Sequence, residues 1–142
     1  MCGIFLYGWT HNLPIEFQSK LPKSIEQASN LCQHRGPDQT QSLAVSSPFW
    51  KLHFVFHRLA INGLNPEGNQ PFEINDVVLV CNGEIYNYKP LFESMSLDWK
   101  DKSDCEILIH LYKKWGIQKM TSMLDGVFSF LLYDKQTHEL FL

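Results

Sequence analysis

The second residue of the chain offers the most distinctive chemistry in the sequence. Cys2 directly follows the initiator Met1. Aminopeptidases remove Met before a side chain this small, so we expect a mature chain that begins with a thiol and a free α-amine on one residue. The thiolate is the attacking form of cysteine, and an α-amine titrates near about 7.7–8.0, so it can accept a proton at neutral pH. The pair predicts an N-terminal nucleophile; the alternative is that Cys2 stands there by chance and Met1 is retained.

Other polar residues with chemical potential come at the ends of predicted strands or at the start of a helix. They are Arg58, Asn82, Gly83, Glu84 and Asp104. Each has a simpler explanation when taken alone. An arginine after an apolar strand is often a surface or ion-pair residue, Asn-Gly is often a plain hairpin turn, and an acidic residue at a helix start favours the helix dipole. Together with Cys2 they form one candidate site.

Two other kinds of site are not expected. His53 and His57 have the i, i+4 spacing of metal ligands on a helix, but the surrounding pattern is that of a strand, where four residues span about 13 Å. We therefore expect no metal site. The sequence also contains no G-x-S-x-G turn and no glycine-rich phosphate loop. Cys2 is the only nucleophile with a special position.

Composition indicates a single globular domain that acts on small molecules. The chain has 142 residues, of which 44% are hydrophobic and 19% charged. A net charge of -3 and scattered basic residues argue against nucleic-acid binding. The four cysteines contain no C-x-x-C pair, which predicts a reducing, cytoplasmic location. No apolar run approaches the roughly 20 residues that a membrane span requires, and the N-terminus does not resemble a signal peptide.

Hydrophobic patterning predicts an α+β fold. The alternation and apolar runs indicate strands over residues 3–8, 39–45, 52–57, 77–81, 128–133 and 139–142, with 58–61 as a candidate continuation of the third. Asn82-Gly83 is expected to form a tight turn directly after the strand at 77–81. Helical spacing indicates helices from Pro22 to before Gly36, over 88–95, and on either side of Gly116. Ser103 and Glu106 have the spacing of a capping box at the start of the third helix.

Seven short blocks then carry a resemblance to a known family. They follow one another in the order found in glutamine-dependent asparagine synthetases, and they resemble the N-terminal, class II glutamine amidotransferase domain of that family, which is of the N-terminal-nucleophile hydrolase type. The relatives that serve purine and hexosamine synthesis share the terminal Cys and an Asn-Gly but not the other blocks. The blocks are Met1-Cys2-Gly3-Ile4, Arg35-Gly36-Pro37-Asp38, Phe56-His57-Arg58-Leu59-Ala60-Ile61, Gln70-Pro71, Asn82-Gly83-Glu84-Ile85-Tyr86-Asn87, Ser103-Asp104-Cys105-Glu106 and Leu124-Asp125-Gly126-Val127-Phe128.

The resemblance implies a four-layer αββα sandwich of mostly antiparallel sheets and a defined reaction. Cys2, freed of Met1, would attack the side-chain amide of L-glutamine, and its α-amine would handle the proton, through a water. The Asn82 side-chain amide and the Gly83 backbone N–H would hold the oxyanion. Glutamate and ammonia would leave by way of a glutamyl thioester, and the ammonia would serve asparagine biosynthesis.

The resemblance also implies which residues bind the substrate. Arg58 would bind the α-carboxylate of glutamine and Asp104 its α-ammonium group. Arg35 is expected to be a structural brace, and Cys32, Cys81 and Cys105 to be core or helix residues. The full set of implied substrate-binding residues is Arg58, Leu59, Ala60, Ile61, Asn62, Asn82, Gly83, Glu84 and Asp104.

The resemblance covers residues 1–142 as one glutaminase domain, whereas the family continues beyond it. Further strands and a synthetase domain, which uses ATP and magnesium, have no counterpart here. No cofactor is expected for this domain, and a separate synthetase subunit is a candidate partner. Two alternatives stay open from the sequence: a non-catalytic glutamine-binding or interaction subunit, and a truncated, inactive fragment.

Overall fold

Two antiparallel β-sheets that lie face to face form the centre of the protein. The computed structural model describes residues 2–18, 20–61, 66–100 and 102–142. Short 3₁₀ turns lie at Gln33–Arg35, Pro66–Gly68 and Asp104–Glu106. The strands and helices are β1 (Gly3–Thr10), α1 (Ile15–Gln18), α2 (Leu21–Asn30), β2 (Gln39–Ser46), β3 (Trp50–Arg58), β4 (Phe72–Ile74), β5 (Val77–Ile85), α3 (Tyr88–Ser94), α4 (Ile107–Met123), β6 (Gly126–Asp134) and β7 (Leu140–Phe141).

The first sheet has the strand order β1-β3-β2 and is antiparallel throughout. Its register pairs Gly3 of β1 with His57 of β3. Cys2 precedes Gly3 and therefore lies beside the last residue of β3, Arg58. The candidate continuation of this strand to residue 61 is wrong, because the chain leaves the ladder after Arg58 and the Ala60 N–H donates to a side chain instead.

The second sheet has the order β4-β5-β6-β7 and is also antiparallel. Its central strand β5 begins with the apolar run 77–81, whose side chains are all buried. This confirms the prediction of a strand covered on both faces. The predicted hairpin of the last two strands is confirmed as β6 and β7.

Apolar side chains from both sheets fill the space between them. Phe54 and Phe56 of β3 meet Val80 of β5 and Tyr133 of β6 there, each nearly inaccessible to solvent. The burial removes large aromatic and branched side chains from water, which is the main favourable contribution to a two-sheet fold. Cys2 is half-buried and packs against the edge of this cluster, so the core helps to hold the residue that precedes β1.

Helices cover both outer faces and complete the four predicted layers. On the second sheet, α3 and α4 pack Phe92, Leu108 and Leu111 against β5 and β6. On the first sheet, α2 ends above β3, where His57 Nε2 lies 2.9 Å from the Ser29 carbonyl oxygen. Because a carbonyl only accepts, Nε2 is the protonated ring nitrogen. The predicted αββα arrangement of antiparallel sheets is confirmed.

The predicted turn at Asn82-Gly83 is wrong. Strand β5 runs straight through both residues, and Gly83 pairs with Phe128 of β6. The glycine is required for a different reason: its φ is +154°, and a Cβ atom there would lie 2.2 Å from the Val127 carbonyl oxygen. Close approach of two strands, and not a reversal of the chain, explains this glycine.

Helix α4 is broken at Gly116, as the sequence predicts. Gly116 has φ 75° and ψ 173°, which separates two helical segments within Ile107–Met123. The predicted capping box forms only in part: the Ser103 hydroxyl accepts from the Cys105 N–H at 3.3 Å, but the Glu106 carboxylate binds Lys102 and His110 instead of reaching back. Within the ranges described, no helix has both the length and the apolar character to cross a membrane.

Candidate active site

A cavity of about 340 Å³ opens where the ends of β1, β3 and β5 meet the 3₁₀ turn Asp104–Glu106. Its wall brings together residues that lie as much as 102 positions apart in the sequence, from Cys2 to Asp104. Eight of the ten predicted site residues line it. Of the other two, Ala60 lies on the adjoining segment, and Asn62 falls outside the described residues. The eight are Cys2, Arg58, Leu59, Ile61, Asn82, Gly83, Glu84 and Asp104.

The Cys2 thiol is held at two points by the residue that follows β3. The Leu59 N–H donates to the sulfur at 3.3 Å, and the thiol lies 3.6 Å from the Leu59 carbonyl oxygen. These contacts fix the position of Sγ at the cavity wall. A backbone N–H directed at sulfur would also hydrogen-bond to the thiolate, which is the nucleophilic form.

Arg58 supplies a buried positive charge to the same cavity. Only 6% of the residue is exposed, and its Nη1 donates to the Asn69 side-chain oxygen. A guanidinium carries five N–H donors in a fixed plane, which suits it to a carboxylate. Arg58 is therefore a buried residue of the cavity wall and not the surface residue that its position after a strand also allowed.

Asp104 supplies a buried negative charge, with 7% of the residue exposed. Its Oδ2 accepts from the Ile85 N–H at 2.7 Å. Burial raises the pKa of this carboxyl above its ordinary value; the backbone hydrogen bonds oppose the rise, and the charge of Glu84 adds to it. An ammonium group beside Asp104 would reverse the effect of burial by favouring the charged form.

The Asn82 side chain presents an amide to the cavity without a complete set of partners. Its Oδ1 is fully buried and has no hydrogen-bond partner among the described residues. A buried carbonyl oxygen left unpaired costs about 1–3 kcal/mol, so such groups mark places where a ligand or water completes the network. Gly83 follows it on the strand and lines the same wall.

The segment after α2 braces the end of β3 and thereby Arg58 and Leu59. The Asp38 N–H donates to the Arg58 carbonyl oxygen at 3.0 Å, and its carboxylate accepts from the Ala60 N–H at 2.8 Å. A Cβ atom on Gly36 would lie 2.0 Å from the His57 carbonyl oxygen. The Arg35 side chain is exposed, so the brace expected of it is provided by Gly36 and Asp38.

The remaining cysteines differ from Cys2 in their surroundings. Cys81 and Cys105 are buried, and both touch the inner wall of the cavity. The hydrogen-bonding interaction with Cys81 favours the protonated form of Cys105 and, together with burial, raises the pKa of the Cys105 thiol well above its usual range. Cys105 is therefore a neutral thiol at physiological pH. Cys32 lies after the last turn of α2, away from the cavity.

Histidines and carboxylates do not gather into a metal site in the part of the chain that the structure describes. His53 and His57 lie on β3, where His53 pairs with Tyr7 across the sheet. His57 Nδ1 lies 2.8 Å from the Thr40 hydroxyl, so both of its ring nitrogens have protein partners. These contacts give His57 a structural role between α2 and the first sheet.

Three residues that no sequence pattern singles out also support the site. Asn69 binds Arg58, Asp38 binds the backbone of Ala60, and Gln70 binds the backbone of Cys81 through both ends of its amide. Asp38 and Gln70 lie within the quoted blocks, but nothing in their spacing shows which distant backbone groups they reach. Gln70 is polar and only 4% exposed, which the sequence alone does not indicate.

Comparison with known proteins identifies the family. A family model described as "Glutamine amidotransferase domain" matches residues 1–142. "Asparagine synthetase [glutamine-hydrolyzing]" from Gallus gallus is 36% identical over 146 residues, and the proteins of that name from Pongo abelii and Homo sapiens are 37% and 36% identical over 147 residues. Each match covers 100% of this chain and 24% of the relative, so the chain spans about a quarter of their length. The predicted family is confirmed, and the protein belongs to the glutamine amidotransferase domain family, with homology to the glutamine-hydrolysing asparagine synthetases.

Proposed function

We propose that this domain hydrolyses L-glutamine to glutamate and ammonia through a thioester on Cys2. The observation that carries the proposal is the cavity itself. It joins the thiol of Cys2, which the Leu59 N–H holds, to the buried guanidinium of Arg58. The buried carboxylate of Asp104 and the amide of Asn82, whose Oδ1 has no partner among the described residues, line the same cavity. Glutamine has a group to match each of these. Its carboxamide carbon suits the Cys2 thiol, and its carboxamide can hydrogen-bond to Asn82. Its α-carboxylate suits Arg58 and its α-ammonium group suits Asp104.

The first step is attack of sulfur on the carboxamide carbon of glutamine. Once Met1 is removed, the α-amine of Cys2 accepts the thiol proton, directly or through a water, and the thiolate forms the C–S bond. The Leu59 N–H fixes the sulfur during this step. The same α-ammonium then returns the proton to the leaving nitrogen, so that ammonia departs as a neutral molecule.

The tetrahedral intermediate carries a negative oxygen that needs hydrogen-bond donors. The Asn82 side-chain NH₂ and the Gly83 backbone N–H supply them in this proposal. Collapse breaks the C–N bond and leaves a glutamyl thioester, and attack by water then releases glutamate and restores the thiol. Donors of this kind act on charge that develops only in the transition state, so they raise kcat more than they tighten binding.

The two charged residues select the zwitterionic end of glutamine. Arg58 binds the α-carboxylate with its planar fork, and Asp104 binds the α-ammonium group. Leu59, Ala60, Ile61, Asn62, Gly83 and Glu84 complete the cradle in this proposal. An amide that lacks the α-carboxylate or the α-ammonium forgoes the hydrogen bonds and the ion pair with Arg58 or Asp104 and is therefore bound more weakly.

The ammonia would support amide synthesis, and the names of the homologues favour asparagine as the product. In this proposal a synthetase domain or subunit, with ATP and magnesium, activates the acceptor carboxylate. The glutaminase half-reaction itself uses only glutamine, water and the residues of the cavity.

Release of glutamate from glutamine by the purified chain tests this function. We expect stoichiometric glutamate and ammonia from L-glutamine. The rate should be at least about 100-fold lower with D-glutamine, or with glutaramate, which lacks the α-ammonium group. Glutamine binding by calorimetry without any glutamate release, under the same conditions, would instead identify a non-catalytic glutamine-binding subunit.

Substitution of Arg58 is expected to weaken glutamine binding. Arg58→Ala removes the partner of the α-carboxylate and should raise KM by about 10–100-fold, since a hydrogen bond to a charged group contributes about 1.5–3 kcal/mol. Arg58→Lys keeps the charge but loses the planar fork and should raise KM less. Steady-state kinetics with Arg35→Ala as the control, an exposed arginine outside the cavity, checks this. An unchanged KM in Arg58→Ala would remove Arg58 from the carboxylate-binding role.

Substitution of Asp104 is expected to separate binding from stability. Asp104→Asn removes a buried charge, so the melting temperature at pH 7 should rise by a few °C, which corresponds to a gain in the free energy of unfolding of about 1 kcal/mol. The KM for glutamine should rise about 10-fold or more, because the partner of the α-ammonium group is lost. The raised pKa of Asp104 makes the free energy of unfolding of the wild-type protein depend on pH. Asp104 contributes stability while it is protonated, and this stability is lost as pH rises through its folded-state pKa. The gain in melting temperature should therefore shrink as pH falls. A lower melting temperature together with an unchanged KM would contradict both roles.

A further inference from the structure

We propose that Gln70 is a positioning residue that sets the geometry of the oxyanion-binding pair Asn82 and Gly83. The inference rests on the proposed function, because it assigns Gln70 to the step in which those two residues stabilise the tetrahedral intermediate. Gln70 lies outside β4 and β5, and its side chain reaches the backbone of the residue that immediately precedes Asn82.

The Gln70 amide forms both hydrogen bonds that a neighbouring strand would otherwise form with Cys81. Its Nε2 donates to the Cys81 carbonyl oxygen at 3.1 Å, and its Oε1 accepts from the Cys81 N–H at 2.6 Å. The residue is 4% exposed, so water does not compete for these bonds. A primary amide matches a backbone peptide in having one acceptor and a donor side by side.

The register of the second sheet explains why a side chain is used at this position. Strand β4 begins at Phe72, which pairs with Leu79 of β5. Two residues further along that register, Gln70 stands opposite Cys81, where β4 no longer provides backbone partners. The Gln70 side chain extends the ladder by one position and ends it there.

The alternating directions of the backbone N–H groups along β5 connect this contact to the active site. Backbone N–H groups of alternate residues point to the same edge of a strand, so the N–H of Gly83 points to the edge that carries those of Cys81 and Ile85. Gln70 binds the first of these and Asp104 binds the last, at 2.7 Å. Gly83 lies between two anchored positions, and its N–H faces the cavity at the end of the ladder.

Two anchors of this kind determine where the Gly83 N–H and the adjacent Asn82 amide point. Oxyanion donors stabilise a transition state only when they lie within about 0.5 Å of their productive positions. Loss of the Gln70 anchor lets the Cys81-Asn82 peptide rotate, which misaligns both donors while leaving Arg58 and Asp104 in place. A positioning role therefore predicts an effect on kcat and little effect on KM.

The test uses two substitutions of Gln70 in the full chain. Gln70→Leu removes both hydrogen bonds, and Gln70→Glu keeps the acceptor for the Cys81 N–H but places an oxygen against the Cys81 carbonyl. We expect kcat for glutamine hydrolysis to fall about 10–100-fold in both, with KM changed less than about threefold. Leu132→Ala, in the buried core of the second sheet, is the control for lost stability, and it should keep the wild-type kcat at temperatures where it is folded.

Amide chemical shifts provide a second measurement that does not depend on turnover. In ¹⁵N spectra of the labelled protein, the amide resonances of Asn82 and Gly83 should shift in both Gln70 variants and remain in place in Leu132→Ala. A kcat within twofold of wild type in both variants would overturn the inference. If the wild-type chain releases no glutamate, the proposed function fails, and unchanged Asn82 and Gly83 resonances would then overturn the positional claim separately.

Discussion

Replacement of Cys2 by alanine is expected to lower the rate of glutamine hydrolysis by at least about 10⁴-fold, because the substitution removes the sulfur on which the thioester forms. The fold should survive. Cys2 is only half-buried, and its sulfur bonds to Leu59 alone among the described residues. Circular dichroism should therefore show wild-type secondary structure, and glutamate release measures the loss of activity.

Two further variants separate the Cys2 sulfur from the other thiols and test the role of its α-amine. Cys32→Ala removes another partly exposed thiol, outside the cavity, and should keep wild-type activity. A variant that retains one extra residue before Cys2 keeps the sulfur but replaces its α-amine by a peptide bond, and it should also lose most of its activity. The loss expected for a nucleophile is about 10⁴-fold. If Cys2→Ala released glutamate at more than about a tenth of the wild-type rate, Cys2 would not be the nucleophile.

Replacement of Asn82 by alanine should lower kcat by about 100–1000-fold, which is the usual cost of losing one oxyanion donor. The physical reason is that its side-chain NH₂ would bind the negative oxygen of the tetrahedral intermediate. The KM for glutamine should change far less than kcat, because Arg58 and Asp104 still bind the α-carboxylate and the α-ammonium group. Steady-state kinetics over a range of glutamine concentrations separates the two parameters.

Asn82→Asp is the matched variant, since it has nearly the same shape but carries a carboxylate in place of the donor. It should be at least as inactive as Asn82→Ala, because its charge repels the oxyanion and adds to those of Glu84 and Asp104 in the cavity wall. An Asn82→Ala enzyme whose KM rises while its kcat is unchanged would place the Asn82 amide in ground-state binding and not in the oxyanion site.

Local patterns in the sequence predict several strands and helices of the fold, whereas the four-layer arrangement was implied by the family resemblance. The apolar run at 77–81 indicates a buried strand, helical spacing after Ser103 indicates α4, and Gly116 indicates its break; each is observed. The error at Asn82-Gly83 has a physical cause. Asn-Gly is a turn signal in an isolated chain, but here the glycine admits the backbone of β6 at a distance that no Cβ atom permits. Only the paired strand reveals that constraint.

Residue patterns alone predict the site less well than they predict the strands and helices. Arg58, Asn82 and Asp104 each had an ordinary explanation, and only the ordered blocks of the family resemblance grouped them before the structure placed them on one cavity. The contacts of Asp38 and Gln70 cannot be predicted from the sequence, because no repeating sequence pattern marks a side chain that binds a distant backbone group. Their partners, Ala60 and Cys81, lie 22 and 11 residues away and become neighbours only in the folded chain.

Intact-mass spectrometry of the purified chain, after treatment with an electrophilic diazoketone analogue of glutamine, reports both the removal of Met1 and the reactivity of the Cys2 thiol. We expect a mass that lacks Met1 and carries one added glutamine-analogue group, located by fragmentation on Cys2 and prevented by excess L-glutamine. A chain that retains Met1 and yet turns over glutamine, or an adduct located on Cys32, Cys81 or Cys105 with Cys2 unmodified, would contradict the role of Cys2 as the N-terminal nucleophile.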